Sequence, residues 1–206
     1  QKNFFKIHDD VLEKFSKYIQ EKQLSISREN IQYNRRWMHN PEKAVKEFNF
    51  GEKEELVDLD DKDKAVLDIL TKNSREKIVD IAHKSELSVD VVSYRIKQME
   101  KRGVIRGYKC LYDIGLVGFT TCKAFLFLKN VNEAAKKKLI THCKNHSNCI
   151  NLVKTFAPWD LEVMFETESY ESFYSIMDEL VEKFSDIVKL YESVIVNREP
   201  KQIFKK

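Results

Sequence analysis

The strongest constraint on how this chain folds is a set of three short amphipathic helical patterns that follow one another closely over residues 59–103. Val66, Leu67, Ile69 and Leu70 recur at helical spacing after Asp60-Asp61, residue types that suit a helix N-terminus. Ile78, Ile81 and Ala82 mark a second helix, for which Ser74 is the expected cap. Ser85-Glu86-Leu87-Ser88 is a tight connection, and Ser88 can cap a third helix. That helix turns Val92, Ile96 and Met99 inward and stops at Gly103, a residue that tolerates a left-handed backbone. The three stripes close on one another as a trihelical core containing a helix–turn–helix. Residues 104–112 alternate enough to predict a two-stranded wing, so the unit is bounded at 59–113.

The pattern changes beyond residue 118. Thr121 to Leu128, Cys149 to Phe156, Leu161 to Glu166 and Val188 to Val196 read as strands. Asn132 to Lys144 and Ser169 to Phe184 read as helices, and Ala157-Pro158-Trp159-Asp160 reads as a turn. The order βαββαβ over 118–197 predicts an antiparallel sheet with helices on one face, hence an α+β chain. Glu162, Glu166 and Glu168 alternate and suggest that one strand face is wet.

The first fifty residues read as a short strand (Phe4, Phe5, Ile7), a helix (Val11, Leu12, Phe15, Tyr18, Ile19) and an extended piece from Leu24 to Trp37. His39-Asn40-Pro41 is an expected turn. Val11, Phe15, Tyr18 and Ile19 align at constant offset with Phe173, Met177, Leu180 and Val181. After one gap, Ile31 to Arg35 aligns with Val194 to Arg198. Residues 1–50 are therefore expected to be a partial repeat of the second half of the 118–197 module. Such a fragment leaves sheet edges open. They must pair with missing sequence, a partner chain or the other sheet. An acidic linker (51–58) and a basic tail (198–206) complete the division.

No apolar run approaches the ~18–20 residues of a membrane-spanning helix, and no secretory leader is recognisable. Four cysteines in 206 residues make no disulfide framework, which fits a reducing cytoplasm. A net charge of +3 decides nothing by itself, but its distribution is informative. Between residues 95 and 109, Arg95, Lys97, Lys101, Arg102, Arg106 and Lys109 are opposed only by Glu100. The third helix would present Ser88, Val89, Asp90, Ser93, Tyr94, Lys97 and Gln98 away from its apolar stripe. A helix fits the major groove of DNA, where Ser, Lys and Gln can read base edges. Arg95, Lys101, Arg102, Arg106 and Lys109 suit phosphate contacts, which make affinity salt-dependent. Arg35-Arg36-Trp37 could likewise grip phosphate or stack on a base, or simply end a strand.

Several runs resemble the leucine-responsive regulator/AsnC (Lrp/AsnC) family of transcription regulators. They are Leu59 to Leu70, Ile81-Ala82, Leu87-Ser88, Val92 to Ile96, Met99-Glu100 and Gly103 to Tyr108. The resemblance implies a winged helix–turn–helix followed by a ferredoxin-like βαββαβ (RAM-type) domain for ligand sensing and oligomerisation. It also implies sequence-specific binding of double-stranded DNA, a homodimer or higher homo-oligomer, and a small effector such as an amino acid. No cofactor, enzymatic activity or membrane attachment is expected. The family's effector turn corresponds to Ala157, Pro158, Trp159 and Asp160. Ala157 stands where the family has Gly and Pro158 where it has an acidic residue. Two alternatives arise. Siroheme decarboxylases share the domain order and resemble this chain overall. His142, Cys143, His146 and Cys149 could together form a zinc or copper site and make a metal-responsive repressor.

Overall fold

Helix starts in this molecule follow the capping chemistry closely. The computed structural model describes residues 2–38, 47–51, 57–110 and 112–197. Helix α2 (Asp61–Lys72) begins where the Asp60 carboxylate accepts the Asp63 N–H at 2.8 Å. Helix α4 (Val89–Lys101) begins where the Ser88 hydroxyl accepts the Val91 N–H at 3.3 Å. Helix α3 (Ile78–Ser85) departs from the expectation, because it starts after Lys77 with no side-chain cap. Asn73, not Ser74, organises this connection. Its side-chain oxygen accepts from the Arg75 N–H and its carbonyl from the Glu76 N–H, a turn that delays the helix. Val66, Leu70, Ile81, Ala82, Val92 and Met99 form the buried core of α2–α4, with Ile96 packed against it.

Of the expected two-stranded wing, the described residues 104–110 carry no strand pairing. Gly107 lies at φ +152°, a region that only glycine enters readily, and this breaks an extended ladder. Val104 and Ile105 instead direct their N–H groups back to the Met99 carbonyl.

The βαββαβ module runs β3 (Thr120–Leu128), α5 (Glu133–Asn145), β4 (Cys149–Phe156), β5 (Leu161–Thr167), α6 (Tyr170–Lys183) and β6 (Val188–Val196). Asn132 and Ser169 cap the two helices. Leu139 of α5 and Phe173, Met177 and Leu180 of α6 pack on Leu126, Leu152, Leu161 and Val163 of the sheet. Every strand pair is antiparallel, with Phe125 opposite Glu162 and Glu192, and Lys123 opposite Met164 and Val194.

The N-terminal block extends this same sheet. Helix α1 covers Lys2–Phe15, so the strand expected at Phe4–Ile7 is instead the helix's first two turns. The physical reason is the spacing of Phe4, Ile7, Val11 and Phe15, which continues one helical stripe without a break. Strand β1 (Ile26–Tyr33) adds antiparallel to the edge of β4, with Asn30 opposite Val153, and buries Ile31 and Tyr33 in the module core. Strand β2 (Glu47–Gly51) pairs with the far side of β1. The strand order is β2-β1-β4-β5-β3-β6. Of the three partners that open sheet edges could find, β1 takes the other sheet. The His39–Pro41 turn and the tail from residue 198 lie outside the described residues, as does most of the acidic linker. No described helix is long and apolar enough to cross a membrane.

Candidate nucleic-acid interface

The outer surface of α4 follows directly from its register. Val92 and Met99 turn inward and are fully buried, which forces Val89, Asp90, Tyr94 and Lys97 outward. Tyr94 is 64% exposed, and Ser93 and Gln98 are half-buried at the margins of the same surface. Lys101 continues it at the last turn. Among the described residues, no hydrogen bond or ion pair engages the Lys97 or Lys101 ammonium. Ser88 spends its hydroxyl on the cap, which leaves Tyr94, Lys97, Gln98 and Lys101 as the groups able to meet a polyanion.

The other basic residues of this segment have partners within the fold. Arg95 Nη1 donates to both Asp60 carboxylate oxygens at 2.8 Å and to Asp63 Oδ1 at 2.7 Å. It ties α4 to the N-terminus of α2 and so fixes the angle at which α4 is presented. The Asp63 N–H, and after it Arg95, holds the Asp60 carboxyl below the usual range. Arg102 donates to the Asp58 carbonyl at 2.6 Å and lies 4.0 Å from Asp63 Oδ2. The Arg106 guanidinium sits 5.2 Å from the centre of the Phe50 ring, and Lys109 Nζ donates to Gln32 Oε1 at 3.2 Å. Net positive charge in the sequence is therefore divided between an outward helix face and an inward joint.

Arg35, Arg36 and Trp37 are also taken up internally. Arg35 Nε donates to Glu166 Oε2 at 2.8 Å and Arg35 Nη2 to Oε1 at 2.8 Å, while Trp37 Nε1 donates to Oε2 at 2.9 Å. Glu166 is 1% exposed, so the expectation of a wet face fails at this residue. β1 seals the edge and brings a cation to the carboxylate. Arg36 donates to the last carbonyls of α5, at Lys144 and Asn145, where a cation offsets the helix dipole. The Trp37 ring stacks on Phe119, with centroids 3.9 Å apart.

The Ala157–Asp160 turn is held by its own side chains. Asp160 Oδ2 accepts the Leu128 N–H at 2.8 Å, and Trp159 is buried with its indole N–H on Glu162 at 3.1 Å. The metal expectation is corrected: no group of three or more His, Cys, Asp or Glu among the described residues could hold an ion. Cys143 and Cys149 point into the core, where burial pushes the Cys143 thiol up to about 12 and the Cys149 thiol well above its usual range. His142 packs on Phe184, and His146 packs edge-on to Phe165 and accepts the Asn148 N–H, so the four side chains serve separate contacts. Gln32, Phe48 and Phe50 were not foreseen in the sequence, because nothing local connects them to residues 106–109.

Comparison with known proteins places this geometry. The winged helix–turn–helix DNA-binding family matches residues 59–106. The HTH-type transcriptional regulator LrpA of Pyrococcus horikoshii is 40% identical over 62 residues, 30% of this chain and 44% of that regulator. The chain thus spans less than half of LrpA in this match. Regulatory protein AsnC of Haemophilus influenzae is 20% identical over 134 residues, covering 64% of this chain and 87% of its own length. The solved structure of E. coli AsnC superposes with a TM-score of 0.60 at 17% identity, over 73% of this chain and 98% of that one. The helical unit is similar to the winged helix–turn–helix of Lrp/AsnC regulators, and the chain shares the fold of solved AsnC. A second solved relative, a Neisseria meningitidis transcriptional regulator crystallised with L-Met, superposes with a TM-score of 0.64 at 20% identity, over 71% and 94% of the two chains. In this chain the β1–β2 hairpin is joined to the sheet edge through Glu166 and to residues 106–109 through Phe48 and Phe50.

Proposed function

We propose that this chain is a transcription regulator of the Lrp/AsnC type that binds double-stranded DNA, with α4 as the reading helix. Tyr94 and Gln98 meet base edges in the major groove, while Lys97 and Lys101 meet phosphates. The observation that carries this reading is the outward row Tyr94, Lys97 and Lys101, set on a helix whose angle Arg95 fixes against Asp60 and Asp63. Val89, Asp90 and Ser93 line the start of the same row. Arg95 and Arg102 act mainly through the fold, because both are engaged by α2 and the segment before it. The chain works as a regulator in the cytoplasm, without catalysis of its own.

A homodimer presents two such helices to two half-sites. The sheet face opposite α5 and α6 supports it, because Leu190 and Val194 are exposed there beside the half-buried Phe125 and Phe127, with no described helix over them. A small effector of the amino-acid class meets the module at the Ala157–Asp160 turn. The L-Met bound to the Neisseria meningitidis relative supports that class. The test is fluorescence anisotropy with duplex DNA over a salt series. Affinity that falls steeply with salt and is tighter for a selected sequence is the expected result. Absence of binding at low salt would overturn the reading.

A further inference from the structure

The β1–β2 hairpin lies at the junction between the helical unit and the sheet. Its strand β1 is fastened to the module by a ladder along β4 and by the buried Arg35–Glu166 pair. Its other contacts reach the segment that follows α4. Phe48 packs so closely on Gly107 that a Cβ there would fall 2.6 Å from the ring. Phe50 lies under the Arg106 guanidinium, and Gln32 accepts from Lys109. Arg35 itself lies 5.3 Å from the Tyr112 ring centre. Arg106, Gly107 and Lys109 therefore touch the hairpin where the family would form a wing. Val104 and Ile105, immediately before them, pack on the helical core and bond to the Met99 carbonyl. The path from sheet to α4 is thus continuous and short: β4, β1 and β2, then Gly107, then the end of α4.

We infer that Phe48, Phe50 and Gln32 are positioning residues for DNA reading: the hairpin sets the direction of α4 relative to the sheet. This deepens the proposed function and rests on it. The sheet carries the dimer, and α4 carries the reading surface. Any freedom between them lets the two reading helices of a dimer drift apart or turn. Fixing that joint in advance removes an ordering cost that DNA would otherwise bear. It also restricts the spacing of half-sites that both helices can reach at once, as any rigid bivalent link does. Arg106 and Lys109 then belong to this joint and not to the phosphate-binding set.

The test selects bound duplexes from a library with a randomised centre, using the full chain as wild type, Phe48→Ala and Phe48→Tyr. Thermal unfolding is recorded for each, so that a misfolded variant is recognised. Wild type is expected to enrich two half-sites at one spacing. Phe48→Ala is expected to enrich the same half-site with a broad range of spacings. It should bind the wild-type duplex about tenfold more weakly but a single half-site within about twofold. Phe48→Tyr keeps the ring on Gly107 and should restore the single spacing. Lys109→Ala should leave the salt slope unchanged. A Phe48→Ala protein that folds and keeps the wild-type spacing overturns the inference, as does an unchanged spacing with a lowered salt slope in Lys109→Ala. Failure of the wild type to enrich any sequence would instead sink the DNA-binding reading, which separates the two claims.

Discussion

Arg35 and Lys97 carry the same charge in two regions that use it oppositely. At the sheet edge, Arg35 meets the fully buried Glu166 carboxylate with two parallel hydrogen bonds. On the outer face of α4, Lys97 reaches into solvent with no partner among the described residues. A desolvated charge must be matched inside the fold, whereas a solvated one is left for a ligand. The comparison teaches that the basic residues of this chain should be sorted by what they already hold before any of them is assigned to DNA. Arg95 falls between the two extremes: it is partly exposed and bridges two carboxylates whose role is to orient α4.

The largest expected effect is at the buried pair. Arg35→Met strands the Glu166 carboxylate in the core and should lower stability by about 3–5 kcal/mol, read as a drop in the urea midpoint. If the midpoint stayed within error of wild type, β1 would not be an integral strand of this sheet. Met99→Ala opens a cavity in the trihelical core and should cost about 2–5 kcal/mol. The unfolding of the helical unit reports it, with the sheet's signal moving less if the two regions are separable. Arg95→Met should cost less than Arg35→Met, because water reaches Asp60. It should nonetheless weaken DNA binding, since the angle of α4 is released.

Acidification sharpens the contrast further. The folded-state carboxyl of Asp60 titrates below its ordinary value. Its contribution to stability is therefore present above the ordinary carboxylate range and is lost as pH falls through the folded value. Asp60→Asn should flatten that part of the curve. Burial lowers His146, so the folded protein resists its protonation and loses stability as pH falls below the ordinary imidazole range. His146→Gln should remove that second, milder slope.

Much of the sheet module was legible because each element carries its own signal. β4 and β6 occupy the residues that alternation predicts, Cys149–Phe156 and Val188–Val196, and Asn132, Ser169 and Ser88 cap the helices that follow them. What was not legible depends on contacts across the chain. Glu166 looked like one of a row of wet carboxylates, because its burial needs β1, some 130 residues earlier in the chain. The strand expected at Phe4 failed because a short apolar cluster fits either period, and the stripe through Val11 and Phe15 decides for helix. Strand pairing is absent over 104–110 because Gly107 answers to Phe48, a partner that local alternation cannot reveal. For the site, the outward set on α4 was readable from Val92 and Met99 alone. The division of the basic residues into joint and reading surface was not.

The smallest effect on stability belongs to the residues proposed to meet DNA. Lys97→Ala and Lys101→Ala should change stability by no more than about 0.5 kcal/mol. The decisive measurement is the salt dependence of DNA affinity for these two variants beside wild type, by anisotropy on one selected duplex. The account predicts that each lowers the slope of log affinity against log salt by roughly one unit, with folding intact. Slopes identical to wild type in both variants would contradict it, because α4 would then not be the surface that meets DNA.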